Sequence, residues 1–202
     1  MGFSPAVRLA NIQRMGQAPR DIAVVGGGIT GAGIARDAAM RGLTVALVEK
    51  EDFASGTSSK SARLVHGGLR YLEQFQFGLI RSASSERHKL RKLAPRLVRP
   101  VAFTFPVYRT SKSSLLKIRV GMRVYDLIAP SRSVKRHKIV DARQTAELEP
   151  ALVRQALAGA AHYYYDCLAD DARLTLATIQ SAHQHGALIA NHAEVCGLSL
   201  IH

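Results

Sequence analysis

Three glycines and an acid carry the first chemistry in the chain. Gly26, Gly28 and Gly31 form a Gly-x-Gly-x-x-Gly run, and Glu49 follows about 20 residues beyond it. Gly26 allows a tight turn. Gly28 has no Cβ, so backbone there can approach a pyrophosphate. Gly31, helped by Gly33, lets the following helix pack closely on a sheet. The start of that helix offers unpaired N–H groups and a positive dipole end to phosphates. Gly27, Ile29 and Thr30 complete the cradle, and Lys50 follows the acid. A carboxylate at Glu49 can accept hydrogen bonds from an adenosine ribose and would repel a 2′-phosphate, which argues against NADP. The pattern alone leaves NAD and FAD both open.

A second constellation follows. Thr57-Ser58-Ser59 supplies hydroxyls and backbone N–H groups suited to phosphate or flavin oxygens. His66-Gly67-Gly68-Leu69-Arg70-Tyr71-Leu72 places a histidine beside a double glycine that can bring backbone close to a flat ring. Arg70 is a permanently charged planar fork suited to a phosphate. Tyr71 adds a ring wall and a hydroxyl. The rival reading is a glycine turn with its arginine in solvent.

These residues need a frame. Ile22 to Val25 and Thr44 to Val48 read as strands, joined by an Ala-rich helix with apolar Ile34, Ala35, Ala38 and Ala39, and Gly42 ends that helix. Glu73 to Ala94 reads as a helix with Leu79, Ile80, Ala83, Leu90 and Leu93 facing inward. Val101 to Val107 alternates as a strand does, and Ser113 to Ile128 is an amphipathic helix. Asp141 caps a short helix stopped by Pro150. Gly159 to Tyr165 reads as a strand. Asp170 or Asp171 caps a helix to about His185, ended by Gly186. Leu188 to Ala190 and Val195 to Ile201 read as further strands. The fold class is α/β: a Rossmann-like nucleotide-binding domain, a parallel sheet with flanking helices, carrying an inserted basic helical segment. The expected divisions are a flexible extension over 1–20, the βαβ core and flavin loop over 21–80, a basic, mainly helical insert over 81–150, and a return to the sheet over 151–202.

The chain has 202 residues and a net charge of +13, and the charge is uneven. Between Arg81 and Arg143 stand 17 Lys and Arg against three acids, Glu86, Asp126 and Asp141. Such a segment should face a polyanion. Few aromatics are placed there for base stacking and no nucleic-acid motif is present, so a nucleic-acid partner is not expected. No apolar run approaches the ~18 residues of a membrane span. Cys167 and Cys196 lack metal-ligand spacing, so no metal site is expected, and they read as free thiols of a reducing cytoplasm.

With these residues in view the chain resembles the FAD-dependent, quinone-linked sn-glycerol-3-phosphate dehydrogenases. The resemblance runs through GGGITGAGIARDAAMRGL, ALVEKEDFASGTSSKSARLVHGGLRYLE, ERHKLRKLAPRLVRP, GMRVYD and YYDCLADDARL, from about Asp21 to His202. It implies FAD as cofactor, with Gly26, Gly28, Gly31 and Glu49 on its ADP half and Thr57, Ser58 and Ser59 near the pyrophosphate and flavin. His66, Gly67 and Gly68 would lie beside the isoalloxazine. Arg70 and Tyr71 would face the substrate, sn-glycerol 3-phosphate. His66 is the one nominee for the base, with loop-fixing as its other reading. Asp170, Asp171 and Arg173 match the family's DDARL stretch but read first as a helix cap and an ion pair.

The resemblance also implies ubiquinone as electron acceptor and a peripheral place on the inner face of the cell membrane. The helix over Ser113 to Ile128 could rest on an anionic leaflet through Leu115, Leu116, Ile118, Met122, Tyr125 and Ile128, flanked by Lys112, Lys117, Arg119 and Arg123. A core helix is the alternative for the same residues. A homodimer is compatible with this picture. The family is more than twice as long, so these residues correspond to its N-terminal part, before the substrate domain is complete. Three rival functions stay open at this point: another FAD-dependent oxidase or dehydrogenase of the superfamily, an NAD-dependent Rossmann dehydrogenase, and a non-enzymatic basic module for lipid or nucleic acid.

Overall fold

A computed structural model describes residues 3–129 and 135–199, and the backbone divides into two units. The first comprises residues 1–62 and 170–202, the second residues 63–169.

The first unit is built on a three-stranded parallel sheet. Strand β1 (Ile22–Val25) pairs with β2 (Val45–Val48), with Ile22 opposite Val45. Strand β7 (Leu188–Ala190) pairs with the other edge of β2, with Ala46 opposite Leu188. Helix α2 (Ile29–Met40) makes the crossover from β1 to β2, and helix α6 (Asp171–Gln184) leads into β7. The two helices pack on each other. Small side chains make this close: α2 buries Ala32, Ala35, Ala38 and Ala39, which pack with Leu47, Ile179 and Ile189. Ile34, apolar like these alanines, is exposed instead.

The N-terminal residues correct the expectation of a flexible extension. Helix α1 (Pro5–Met15) lies there, and it packs on β7. Pro5 stands at the helix start, where a missing N–H costs nothing. The Ser4 hydroxyl caps the helix by accepting the Val7 N–H at 3.2 Å. Buried Asn11 donates to the Ile189 carbonyl at 3.0 Å, and Arg8 donates to the carbonyls of Asn191 and His192.

The second unit centres on a long strand. Strand β6 (Leu157–Ala169) has β4 (Val98–Tyr108) antiparallel along one edge. Its other edge is shared by β3 (Leu64–Val65) and β5 (Lys138–Asp141), also antiparallel. Helices α3 (Phe77–Leu93) and α4 (Leu115–Ile128) cover β6, and Ile80, Met122, Tyr125, Ala161, Tyr163 and Tyr165 form the core. Helix α5 (Ala142–Leu148) carries the expected Asp141 cap, closed as a capping box with Gln144. This antiparallel sheet corrects two expectations. The basic segment holds α4, α5 and most of α3, but it is not helical alone, since β4 and β5 run through it. The strand around Gly159 to Tyr165 belongs to this sheet, and among the described residues only β7 returns to the parallel one. Residues 195–199 are irregular where a last strand was expected; positions 200 and 201 lie outside the described residues.

Candidate functional site

In the first unit the glycine turn and the acid meet. Val25 ends β1, Gly26 takes a φ of +112°, and the chain enters α2 at Gly28. A Cβ on Gly31 would collide with the Gly26 carbonyl oxygen and press on Val24, so the helix can approach the strand only if this residue is glycine. A Cβ on Gly33 would meet nothing within 4 Å, so Gly33 has no share in that close approach. A Cβ on Gly27 would strike the Phe53 ring at 2.7 Å. Glu49 lies across the turn. Its Oε2 accepts the Gly27 N–H at 2.7 Å and its Oε1 accepts the Glu51 N–H at 2.9 Å. Burial raises the Glu49 pKa, but the N–H groups of Glu51, Gly27 and Lys50 and the Lys50 charge outweigh it and hold the carboxyl below its ordinary value.

The hydroxyl segment joins this cradle. Thr57–Ser59 form one turn of 3-10 helix, and Ser58 Oγ accepts the Ile29 N–H at 2.9 Å, in the first turn of α2. Ser59 donates to the Gly56 carbonyl. Ile29 and Thr30 are exposed, with Thr57 and Lys50. The fit to a dinucleotide is good. A Cβ on Gly28 would meet only Ser58 Oγ at 3.3 Å, the α2 N-terminus supplies N–H groups, and Glu49 supplies acceptor oxygens.

In the second unit the double glycine is pressed into the core. Gly67 donates its N–H to Asp166 Oδ1 at 2.6 Å, and its carbonyl accepts the Tyr125 hydroxyl at 2.7 Å. A Cβ on Gly67 would collide with Arg87, the Tyr125 hydroxyl and the Tyr165 carbonyl. Gly68 adopts the left-handed conformation at φ +80° and starts a 3-10 turn over Leu69–Leu72. His66 is left outside: its side chain is 65% exposed, and Nδ1 lies 3.7 Å from Asp166 Oδ1. Arg70 is exposed too, with its guanidinium 5.0 Å from the Tyr71 ring centre and Nη2 donating to the Tyr71 hydroxyl at 3.1 Å. Arg70 and Tyr71 therefore share one surface of the turn.

Asp166 and Arg87 were missed in the sequence, and Tyr125 was read only as part of the apolar face of its helix. Asp166 follows three tyrosines in what reads as a strand, and nothing marks it as a partner of Gly67. Arg87 is 1% exposed, on a helix face it shares with Ile80 and Ser84. An arginine and a serine hide that face from a hydrophobic pattern. Leu79 and Leu93, expected inward, are exposed instead.

For the basic helix α4 the structure takes the core alternative over most of its apolar face. Met122 and Tyr125 are buried, and Ile118 and Ile128 pack partly against the same core. Most of the apolar face expected to meet lipid is the core face. The outward side carries Leu116, Val120 and Leu127 with Lys117, Arg119 and Arg123. Beyond it Arg119, Arg123 and Arg136 line a depression of about 620 Å³ with Asp126 and His137. Tyr165 donates to Asp126 Oδ1 at 2.6 Å, and His137 Nδ1 lies 2.8 Å from Asp126 Oδ2. At the edge of α6, Asp170 accepts the Arg173 N–H and pairs with its side chain at 4.0 Å, while Asp171 accepts the Ser61 hydroxyl.

A parallel βαβ unit with this glycine turn and acid defines a dinucleotide-binding protein. Residues 21–201 match the profile of the FAD dependent oxidoreductase family, to which the chain belongs. It is 44% identical over 178 residues to a glycerol-3-phosphate dehydrogenase of Synechocystis, covering 88% of this chain and 32% of that protein. It is 41% identical over 200 residues to an alpha-glycerophosphate oxidase of Streptococcus pneumoniae, covering 98% and 33%. A solved glycerol-3-phosphate dehydrogenase from Bacillus halodurans, complexed with FAD, superposes with a TM-score of 0.70 at 33% identity, over 96% of this chain and 30% of that one. The chain thus spans about a third of the length of the curated relatives it matches.

Proposed function

We propose that the chain is the FAD-binding part of a flavoprotein that oxidises sn-glycerol 3-phosphate to dihydroxyacetone phosphate. What supports this is the likeness to glycerophosphate dehydrogenases and oxidases, which extends over both glycine constellations. Gly26, Gly27, Gly28, Ile29, Thr30 and Gly31 would hold the pyrophosphate, with Glu49 on the ribose, Lys50 beside it, and Thr57, Ser58 and Ser59 completing the first-unit contacts. Bound FAD supplies the hydride acceptor. Gly67 and Gly68, packed into the core, fix the turn that carries His66, Arg70 and Tyr71. Arg70 holds the substrate phosphate, Tyr71 backs the guanidinium, and remote binding energy orients C2. His66, exposed on the same turn, takes the hydroxyl proton as the hydride departs.

The electron acceptor proposed is membrane ubiquinone, with an anionic leaflet as the surface for the outward side of α4 and a homodimer as the assembly. Among the described residues no helix is long and apolar enough to cross a membrane. The test is a titration of the purified chain with FAD, followed by anaerobic addition of sn-glycerol 3-phosphate. Saturable quenching of flavin fluorescence, weakened by Glu49→Ala, is expected. Absence of FAD binding by a folded chain would overturn the reading. Bleaching on substrate addition would show that these residues suffice for reduction; binding without bleaching would assign reduction to residues found in the longer relatives.

A further inference from the structure

We infer that Asp166 is a positioning residue for His66, fixing both the turn that carries the imidazole and the tautomer that the ring adopts. Asp166 is 7% exposed, on β6 in the middle of the second unit. A carboxylate so placed is costly unless it is satisfied. Its Oδ1 accepts the Gly67 N–H at 2.6 Å, one residue after His66. Tyr125 holds the other side of the same residue through the Gly67 carbonyl. The Gly67 Cα faces Arg87 and the Tyr165 carbonyl with no room for a Cβ. The backbone beside His66 is therefore clamped at its N–H, its carbonyl and its Cα.

The same Oδ1 lies 3.7 Å from His66 Nδ1. That is longer than a hydrogen bond, but near enough for a negative oxygen to favour a proton on the nitrogen that faces it. A neutral imidazole carries one proton on one of its two nitrogens, and the partner of one nitrogen decides the state of the other. With Nδ1 protonated toward Asp166, Nε2 presents its lone pair to the outside. This inference rests on the reading of His66 as the base. The substrate O–H bond breaks, its proton joins Nε2, and the positive charge that forms on the ring faces a buried carboxylate. No other acid among the described residues is placed beside this ring in an ion pair.

The experiment is nitrogen NMR of the eight histidines of the chain, with His66 assigned as the signal missing from His66→Gln. It is run at alkaline pH. A freely exposed histidine favours the Nε2–H form. In the wild-type chain His66 should instead be mainly Nδ1–H. In Asp166→Asn the amide oxygen can still accept the Gly67 N–H, while the negative charge that favours a proton on Nδ1 is gone. The ratio should invert to mainly Nε2–H. A majority of Nε2–H in the wild type, or an unchanged ratio in folded Asp166→Asn, overturns the inference. If the variant does not fold, the wild-type ratio decides alone. Neither flavin nor substrate is used, so this result stands apart from the FAD titration that tests the functional reading.

Discussion

Glu49 Oε2 accepts the N–H of Gly27 at 2.7 Å, which ties the end of β2 to the turn that follows β1. The bond holds the glycine turn in shape and leaves the carboxylate at its mouth. It also makes the first unit sensitive to acid. Burial raises the Glu49 pKa, but the three neighbouring amides and Lys50 bring it below the ordinary value. A carboxyl depressed in the folded state stabilises that state above its unfolded pKa, and the gain fades as pH falls through the folded pKa. Glu49→Gln should cost about 1 kcal/mol at neutral pH, because the partly exposed group is screened by solvent. The penalty should shrink at roughly pH 4 or lower, where the wild-type carboxyl takes up its proton. Urea unfolding at both pH values measures this; a pH-independent difference would count against it.

The glycines of α2 should behave in opposite ways. Gly31→Ala must push the helix off the strand, because the new methyl meets the Gly26 carbonyl and backbone cannot swing aside. A loss of about 1–3 kcal/mol is expected, with FAD affinity falling alongside. Gly33→Ala puts its methyl into open space inside a helix. It should gain about 0.4–1 kcal/mol, since alanine loses less backbone entropy on folding. Two denaturation curves settle the contrast.

That contrast also marks what could be read from residue order. The first unit was legible because its signals are local: β1, the glycine turn, α2, β2 and Glu49 lie within thirty consecutive residues, as their roles demand. Gly33 was misread because its spacing resembles that of Gly31, and only geometry shows which of the two touches backbone. The second unit was less legible because its partners are distant. Gly67 and Asp166 are 99 residues apart, and Tyr125 reaches Gly67 across 58. Antiparallel pairing along β6 joins them, and a strand read alone does not name its neighbours. Helix α1 was missed for a different reason: a proline that starts a helix and one that breaks it are the same letter, and only Ser4 beside it decides.

Gly67→Ala tests the packing of the double-glycine turn. The added methyl meets Arg87, the Tyr125 hydroxyl and the Tyr165 carbonyl, all three on fully buried residues. A cost of about 1–3 kcal/mol is expected. Because His66 rides on this turn, its tautomer ratio should move toward that of an exposed histidine. Wild-type stability with an unmoved ratio would show that the turn is not clamped.

The tyrosines of β6 should limit stability in alkali. Burial is the main cause that pushes Tyr163 up to about 12 and Tyr165 higher still, with Asp126 adding to the second. An unfolded tyrosine ionises near 10. The sign follows from that gap: the folded state is favoured fully below about 10, and its margin falls as pH rises toward the folded values. Tyr163→Phe should flatten the loss of stability between pH values of about 10 and 12. Tyr165→Phe should cost about 1–3 kcal/mol at neutral pH, because Asp126 loses the hydroxyl that donates to it at 2.6 Å. His137 remains beside the carboxylate in that variant. Phenolate absorbance during an alkaline titration, with unfolding followed in parallel, checks both.

The outward side of α4 should decide whether the chain meets anionic lipid. Leu116, Val120 and Leu127 are 66%, 54% and 78% exposed, and Arg119 and Arg123 stand on the same side. An apolar line beside arginines suits the headgroup region of a charged leaflet, where each basic residue contributes about 1 kcal/mol. Arg123→Glu changes two charges and should weaken binding to phosphatidylglycerol vesicles roughly thirtyfold at low salt. Leu127→Ser should weaken it less, and without changing the salt dependence, because it removes only apolar contact. Met122→Leu alters the buried side of the same helix and should leave vesicle binding unchanged. Co-sedimentation with anionic and neutral vesicles across a salt series separates the two terms. Equal binding to both vesicle types, or an Arg123→Glu chain that sediments like the wild type, would remove α4 as the lipid surface.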